Sequence, residues 1–222
     1  MVSRALWDQI ASTDVISLGK QSSLGYRIDP KHLVFVLARY KFVAKMAESV
    51  SCTKGLEVGC GDGFATPIVA QVVPSIRAVD LEMQTLETRS DHPMLDERVT
   101  FAQHDILSSP VSDGGPFDLC YSLDVVEHIP HELDPKYYEN IARSLGPRGA
   151  AIIGTPNKAA EAHQSPQSRE GHINLKSPRQ LKADMENWFD YVLMFGMNDE
   201  VVHTGFPDMA HYLFAVGLGP KL

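Results

Sequence analysis

Cysteine is scarce in this sequence and unpaired in spacing. The three that occur, Cys52, Cys60 and Cys120, form no C-x-x-C motif. Their odd number and apolar flanks argue against a disulfide framework and point to reduced thiols in a cytoplasmic protein. Long hydrophobic runs are missing too. No uncharged apolar stretch approaches the ~20 residues of a membrane span, so no membrane partner is expected. The first ten residues carry Arg4 and Asp8 where a secretory leader would be apolar, so no signal peptide is expected there. Basic residues are in deficit: 20 Lys and Arg stand against 28 Asp and Glu, a formal charge of −8. Such a surface repels phosphate backbones, which makes nucleic acid a disfavoured partner. Internal repeats and low-complexity tracts are absent as well.

What is present fits one α/β domain with an appendage: 222 residues, 44% apolar and 22% charged. Short apolar runs at 55–58, 75–79, 99–103, 117–122 and 150–153 read as five strands, and 191–195 and 212–216 as two closing strands. Helical spacing falls between them, at 66–73, 82–90 and 134–145. A further helix runs from the Ser177 capping box to Trp188. This alternation predicts a doubly wound, Rossmann-like parallel sheet. Ahead of it, residues 5–12 read as a short helix and 19–25 as a polar turn. Asp29-Pro30 reads as a cap opening an amphipathic helix over 30–49. Residues 154–176 form a long polar connection without period, of the kind that often carries function.

The chain is organised around Leu56-Glu57-Val58-Gly59-Cys60-Gly61-Asp62-Gly63-Phe64. A strand runs into alternating glycines and then a helix, which lets a ligand approach the backbone closely. Acids follow at the ends of the next strands: Asp80, 21 positions after Gly59, and Asp105. A carboxylate at the end of the second strand suits the two hydroxyls of a ribose. Asp105, with the N–H of Ile106, suits an adenine edge. A nicotinamide dinucleotide is one candidate, and an oxidoreductase the function it would imply. Phe64 holds the position where the dinucleotide fingerprint needs its last glycine, and Glu57 would repel a pyrophosphate. Glu57 suits a ligand bearing an ammonium or sulfonium. Ribose, adenine, positive charge and no phosphate together describe S-adenosylmethionine.

These residues, with Phe117-Asp118-Leu119, Asp124-Val125-Val126-Glu127-His128 and Gly154-Thr155-Pro156-Asn157, resemble the class I S-adenosylmethionine-dependent methyltransferases of the small-molecule, UbiG-like methyltransferase-domain type. The resemblance implies a seven-stranded sheet ordered 3-2-1-4-5-7-6 with the last strand antiparallel. It implies a methyltransferase domain over 52–222 behind an N-terminal helical lid over 1–51. It also implies S-adenosylmethionine as co-substrate, held by Glu57, Gly59, Cys60, Gly61, Gly63, Asp80, Leu81, Asp105, Ile106 and Leu123. In the lid, Tyr26 and Arg27 are candidate pocket residues.

Methyl transfer from a sulfonium is an in-line displacement, so the protein mainly aligns the nucleophile and removes water. An oxygen nucleophile also needs a base. His128, with Glu127 beside it, is the first candidate, and His172 in the long connection is the second. His203 and Phe206 are weaker candidates for the acceptor site. His131 reads as surface, and Trp188, Phe189, Tyr191 and Phe195 as core. The expected reaction is O-methylation of a small molecule such as a sugar, glycan precursor or secondary metabolite, by a monomer or homodimer, with N- or C-methylation open. No metal is expected. The alternative is that Asp124, Glu127, His128 and His172 hold a divalent metal. That arrangement resembles the E-x-x-E-H of small-RNA 2′-O-methyltransferases. A non-catalytic binding module is a further alternative.

Overall fold

Strands form where the apolar runs lie, and the sheet they build is larger by one strand than the sequence predicts. The structure is a computed structural model and describes residues 3–164 and 166–221. The chain opens with α1 (Arg4–Ser12), α2 (Lys20–Ile28) and α3 (His32–Ser49) ahead of β1 (Lys54–Val58). Next come α4 (Thr66–Ala70), β2 (Ser75–Asp80), α5 (Met83–Glu87), α6 (Pro93–Arg98) and β3 (Val99–Gln103). β4 (Phe117–Leu123), α7 (Asp134–Ser144) and β5 (Leu145–Pro156) follow. α8 (Pro166–Gly171), α9 (Pro178–Glu186), β6 (Phe189–Asn198), β7 (Val201–His203) and β8 (Tyr212–Pro220) complete it.

The sheet order is β3-β2-β1-β4-β5-β8-β6-β7. The first five strands are parallel, and β8 inserts antiparallel between β5 and β6. This is the expected order with one strand added. Val201–His203, read as a connection in the sequence, folds back on Gly196, Met197 and Asn198 as an edge hairpin.

Side chains alternate across the sheet, as a period of two requires. Leu56 and Val58 of β1 pack with Tyr137, Ile141, Leu181 and Phe189 on the α7–α9 face. Leu119, Tyr121 and Leu123 of β4 pack with Tyr40, Val43 and Ala47 of α3 on the other. A fully buried aliphatic side chain contributes about 1.5–3 kcal/mol, more than a helix as short as α4 gains from its own hydrogen bonds. Val69 and Ala70 of α4, fully buried, hold it on this core. Among the described residues no helix is long and apolar enough to cross a membrane.

Several boundaries differ from the sequence reading, each for a tertiary reason. The polar stretch 19–25 is helical. Gly19, at φ 86°, starts α2, and the carboxylate of Asp62 takes the N–H of Ser22 at 2.7 Å, a cap supplied from 40 residues away. Asp29 and Pro30 do not open α3. Asp29 closes α2, its N–H donating to the Gly25 carbonyl at 2.9 Å, and α3 begins at His32. The helix expected over 82–90 shrinks to α5, and α6 appears unforeseen, with Pro93 at its start and His92 Nδ1 accepting from the Met94 N–H. β5 runs on to Pro156 because β8 pairs with it from Ala150 to Pro156. The long connection therefore begins at Asn157. Tyr191 is 71% exposed on the outer face of β6 and is not core.

Candidate active site

β1 and β4 are neighbours whose continuing chains diverge, the position at which an open α/β sheet leaves a crevice. The glycine loop occupies it. Gly59 has φ 79°, and a Cβ there would lie 2.2 Å from Val125 Cγ2, so only glycine lets the loop after β1 pass the turn after β4. Gly61 has φ 54°, with Gln21 Oε1 of α2 2.8 Å from where its Cβ would be. The first loop glycine thus fits the sheet, and the second admits the N-terminal segment.

Glu57 stands behind this loop and does not reach the crevice. It is 1% exposed. Tyr40 donates to Oε1 at 2.6 Å, and Thr66 and Tyr121 donate to Oε2 at 2.7 and 2.9 Å. Burial outweighs these bonds and pushes the carboxyl up to about 7. Through Tyr40 and Thr66, Glu57 fastens α3 and α4 to β1. The Cys60 thiol is buried and raised well above the ordinary thiol range, chiefly by burial, so it is no nucleophile.

The crevice is a cavity of about 420 Å³. Gly59, Cys60, Gly61 and Leu123 form its floor, with Asp62 and Phe64 beside them. His32, Val36, Arg39 and Tyr40 form its roof. These four sit at the i, i+4, i+7, i+8 spacing of one helix face. The sequence held that signal, three polar residues on the inward stripe of α3, and reading for apolar period alone passed over it. Gln21 and Ser22 of α2 close one end.

Besides Glu57, five of the anticipated cofactor residues do not line this cavity: Gly63, whose Cβ would meet the Phe101 ring at 2.9 Å, and Asp80, Leu81, Asp105 and Ile106. Asp80 accepts the Gly61 N–H at 2.8 Å and the Glu82 N–H at 2.9 Å, tying the loop to the end of β2. Leu81 beside it is exposed. Asp105 caps its own turn through the Leu107 N–H, and buried Asn140 holds the Ile106 carbonyl at 2.6 Å. Asp80, Leu81, Asp105 and Ile106 lie at the ends of the adjoining strands β2 and β3.

A second cavity of about 810 Å³ adjoins the first, sharing Gly25, His32, Arg39, Pro156 and Gln164. Ile28, Phe35, Met197 and Tyr212 give it apolar walls, and Asp29, Lys31, His163, Asp199 and His211 a polar rim. Tyr26, Arg27, His203 and Phe206, named from the sequence, do not line it.

His128 and His172 are 44 positions apart in sequence, yet their rings meet edge to face at 5.0 Å. His128 Nδ1 is 2.9 Å from the Gly171 carbonyl, so Nδ1 carries a proton and donates it there. His172 Nδ1 lies 3.1 Å from the Gln164 amide. Burial and then the neighbouring His128 lower His172, which favours its neutral form. His172 lines the smaller cavity; His128 stands behind it. Glu127 is fully buried. Its Oε2 accepts from Thr155 at 3.0 Å and its Oε1 has no partner. Burial, then the charge of Asp124, pushes the Glu127 carboxyl up to about 8. Donor atoms of Glu127, His128 and His172 lie within 4.8 Å of one another. An acid with an unpartnered buried oxygen beside two imidazoles fits a divalent cation. Buried Asn174 and Lys176 fix the long connection here. Asn174 donates to the Glu127 backbone carbonyl and to Asp134, and Lys176 pairs with Asp134 and Asp184.

Comparison with known proteins bears on this geometry. A methyltransferase-domain family matches residues 31–188. A probable S-adenosylmethionine-dependent methyltransferase of Mycobacterium tuberculosis is 29% identical over 80% of this chain and 57% of its own length. A ubiquinone biosynthesis O-methyltransferase of Rickettsia conorii is 29% identical over 54% of this chain and 40% of its own. The chain thus spans little more than half the length of these relatives, or less. Among solved structures, the methyltransferase domain of a bacterial Hen1 superposes with a TM-score of 0.67 at 18% identity, covering 83% of this chain and 99% of that one. That likeness is one of fold.

Proposed function

The chain belongs to the methyltransferase-domain family, and from that premise we propose that it transfers the methyl group of S-adenosylmethionine to a hydroxyl of a small molecule. One observation carries the reading: a glycine-floored cavity opens into a larger, mixed apolar and polar one across a shared wall. A donor in the first would present its methyl to an acceptor in the second. The residues Gly59, Cys60, Gly61 and Leu123 would hold the methionine end, and Asp80, Asp105 and Ile106 the nucleoside. Alignment and exclusion of water supply most of the acceleration. As the acceptor oxygen bonds the methyl carbon, the carbon–sulfur bond breaks and the sulfonium becomes a neutral thioether. The hydroxyl proton goes to an imidazole. His172 is on the cavity wall and neutral, which makes it the base of first choice here, with His128 packed behind it.

Charge supports a small acceptor over a nucleic acid. Lys31 and Arg39 around the two cavities are matched by Asp29, Asp199 and Asp124, so no excess positive charge awaits a phosphate backbone. Calorimetry with S-adenosylmethionine, then transfer of labelled methyl to a panel of hydroxylated sugars and phenols, tests this. Binding of a nicotinamide dinucleotide in place of S-adenosylmethionine would overturn it. Donor binding with no transfer to any acceptor would favour a binding module.

The clustering of Glu127, His128 and His172 favours a second reading, in which these residues hold a divalent cation. Such a cation would acidify an acceptor hydroxyl or bind a vicinal pair. Loss of transfer on chelation, restored by Mn²⁺, supports it, and an RNA 3′ end joins the acceptor panel for that reason.

A further inference from the structure

We propose that Arg39 is the residue that sets the metal affinity of this site, by withholding Asp124 from the Glu127–His128–His172 cluster. The inference rests on the second reading above and concerns what this chain has done with the fourth donor its sequence offers. Asp124, Glu127 and His128 lie in one short D-x-x-E-H segment, yet only the last two join His172 in the cluster. The carboxylate of Asp124 is turned elsewhere. Its Oδ2 accepts from Arg39 at 2.6 Å. Asp124 also sits at φ 57°, a left-handed conformation that a non-glycine residue adopts only where its surroundings hold it. Two things hold it: its N–H donates to the Gly154 carbonyl at 3.0 Å, and Arg39 takes its side chain.

Arg39 is itself locked. It comes from α3, outside the strand that carries the acids, and its side chain is 10% exposed. Its guanidinium lies 4.0 Å from the centroid of the Tyr212 ring. A guanidinium that is always charged and stacked on an aromatic face gives up a carboxylate reluctantly. A divalent cation entering the cluster therefore finds three donors, the carboxylate of Asp124 being held by Arg39. The ion pair lowers affinity by removing a carboxylate more open to solvent than Glu127: the Asp124 side chain is 35% exposed, against none for Glu127.

The test measures Mn²⁺ affinity by calorimetry and the visible absorption of bound Co²⁺, in the full chain without donor or acceptor. Five proteins are compared: wild type, Arg39→Met, Arg39→Met/Asp124→Asn, Arg39→Lys and His172→Ala. The wild type should bind Mn²⁺ weakly, and His172→Ala should abolish it. Arg39→Met should bind at least tenfold more tightly, with a changed Co²⁺ spectrum as a carboxylate joins the coordination. The double variant, in which the charge pair is replaced by a neutral pair, should return to wild-type affinity and spectrum. Arg39→Lys, which keeps the charge, guards against a misfolded methionine variant and should show no gain. Wild-type binding that is lost in His172→Ala but unchanged by Arg39→Met would overturn this proposal alone. So would a gain without a spectral change, or one that survives Asp124→Asn. No binding to any of the five would sink the metal reading and this proposal with it.

Discussion

The carboxylate of Asp62 accepts both the N–H and the hydroxyl of Ser22, at 2.7 and 2.8 Å. One residue of the glycine loop thus caps the first turn of a helix that belongs to the N-terminal segment. The loop and the segment above it are ordered together, and whatever enters the crevice meets both.

Asp62→Ala should free α2 without unfolding the sheet. A lost helix cap costs about 0.5–2 kcal/mol, and here it falls on an element with no buried residue of its own. Amide exchange across residues 20–28 should quicken several-fold while the melting temperature changes by only a few degrees. Affinity for S-adenosylmethionine should fall as the roof loosens. Unchanged exchange at α2 would show that Ser22 is held by something other than Asp62.

Stability should decline as pH rises from about 5 to 8. Glu57 is raised to about 7 and Glu127 to about 8, both primarily by burial. A carboxyl raised in the folded state binds its proton more tightly there than in the unfolded chain. Its contribution is complete below the ordinary carboxylate value and is lost as pH passes the folded one. Urea unfolding at pH 5, 6.5 and 8 should give falling midpoints, and Glu57→Gln and Glu127→Gln should each flatten the trend. A profile left unchanged by both substitutions would contradict the raised values of the two acids, since the lowered His32 and His172 pull the wild-type trend the other way.

Asp80→Ala should weaken S-adenosylmethionine binding by about 1–3 kcal/mol, the range for losing charged hydrogen bonds. Asp80 also holds the Gly61 and Glu82 N–H groups, so some of that loss would come from a looser loop. Comparing S-adenosylmethionine with methionine alone separates the two. A ribose contact predicts a large loss for the former and little for the latter. Equal losses would assign Asp80 to loop support.

Much of this was legible because the signals are local. The strand carrying Glu57, the glycines after it, the acids at or just past the ends of the next two strands and the Ser177 capping box all depend on residues within a few positions of one another. What was not legible depends on partners far away in sequence. α2 has no cap of its own and borrows Asp62. β5 reaches Pro156 because β8, some 60 residues on, offers it a ladder. Glu57 looked like a ligand contact from its place before the glycines. Tyr40, Thr66 and Tyr121, three hydroxyls from three elements, are what turn it into a buried post. Arg39 and His32 look, on a helical wheel, like breaks in an apolar stripe. Only the chain folded beneath α3 makes them a wall between two cavities.

The histidine pair gives the sharpest test of the chemistry. His172 lines the smaller cavity, and His128, fixed by the Gly171 carbonyl at 2.9 Å, packs against it. If His172 takes the acceptor proton, His172→Ala should lower kcat by about 10²–10⁴, the usual worth of a positioned general base. Affinity for S-adenosylmethionine should stay within a factor of a few. The acidic limb of the pH–kcat profile should vanish, because the group that must be neutral is gone. That limb should lie below the ordinary imidazole value in the wild type, since burial lowers His172. His128→Ala removes the ring that His172 rests on but leaves the base in place. It should lower kcat less and shift the limb upward, the His128 charge no longer opposing protonation. Equal losses in both variants, with the limb unmoved, would mean that the two imidazoles act as one donor set, as the metal reading requires.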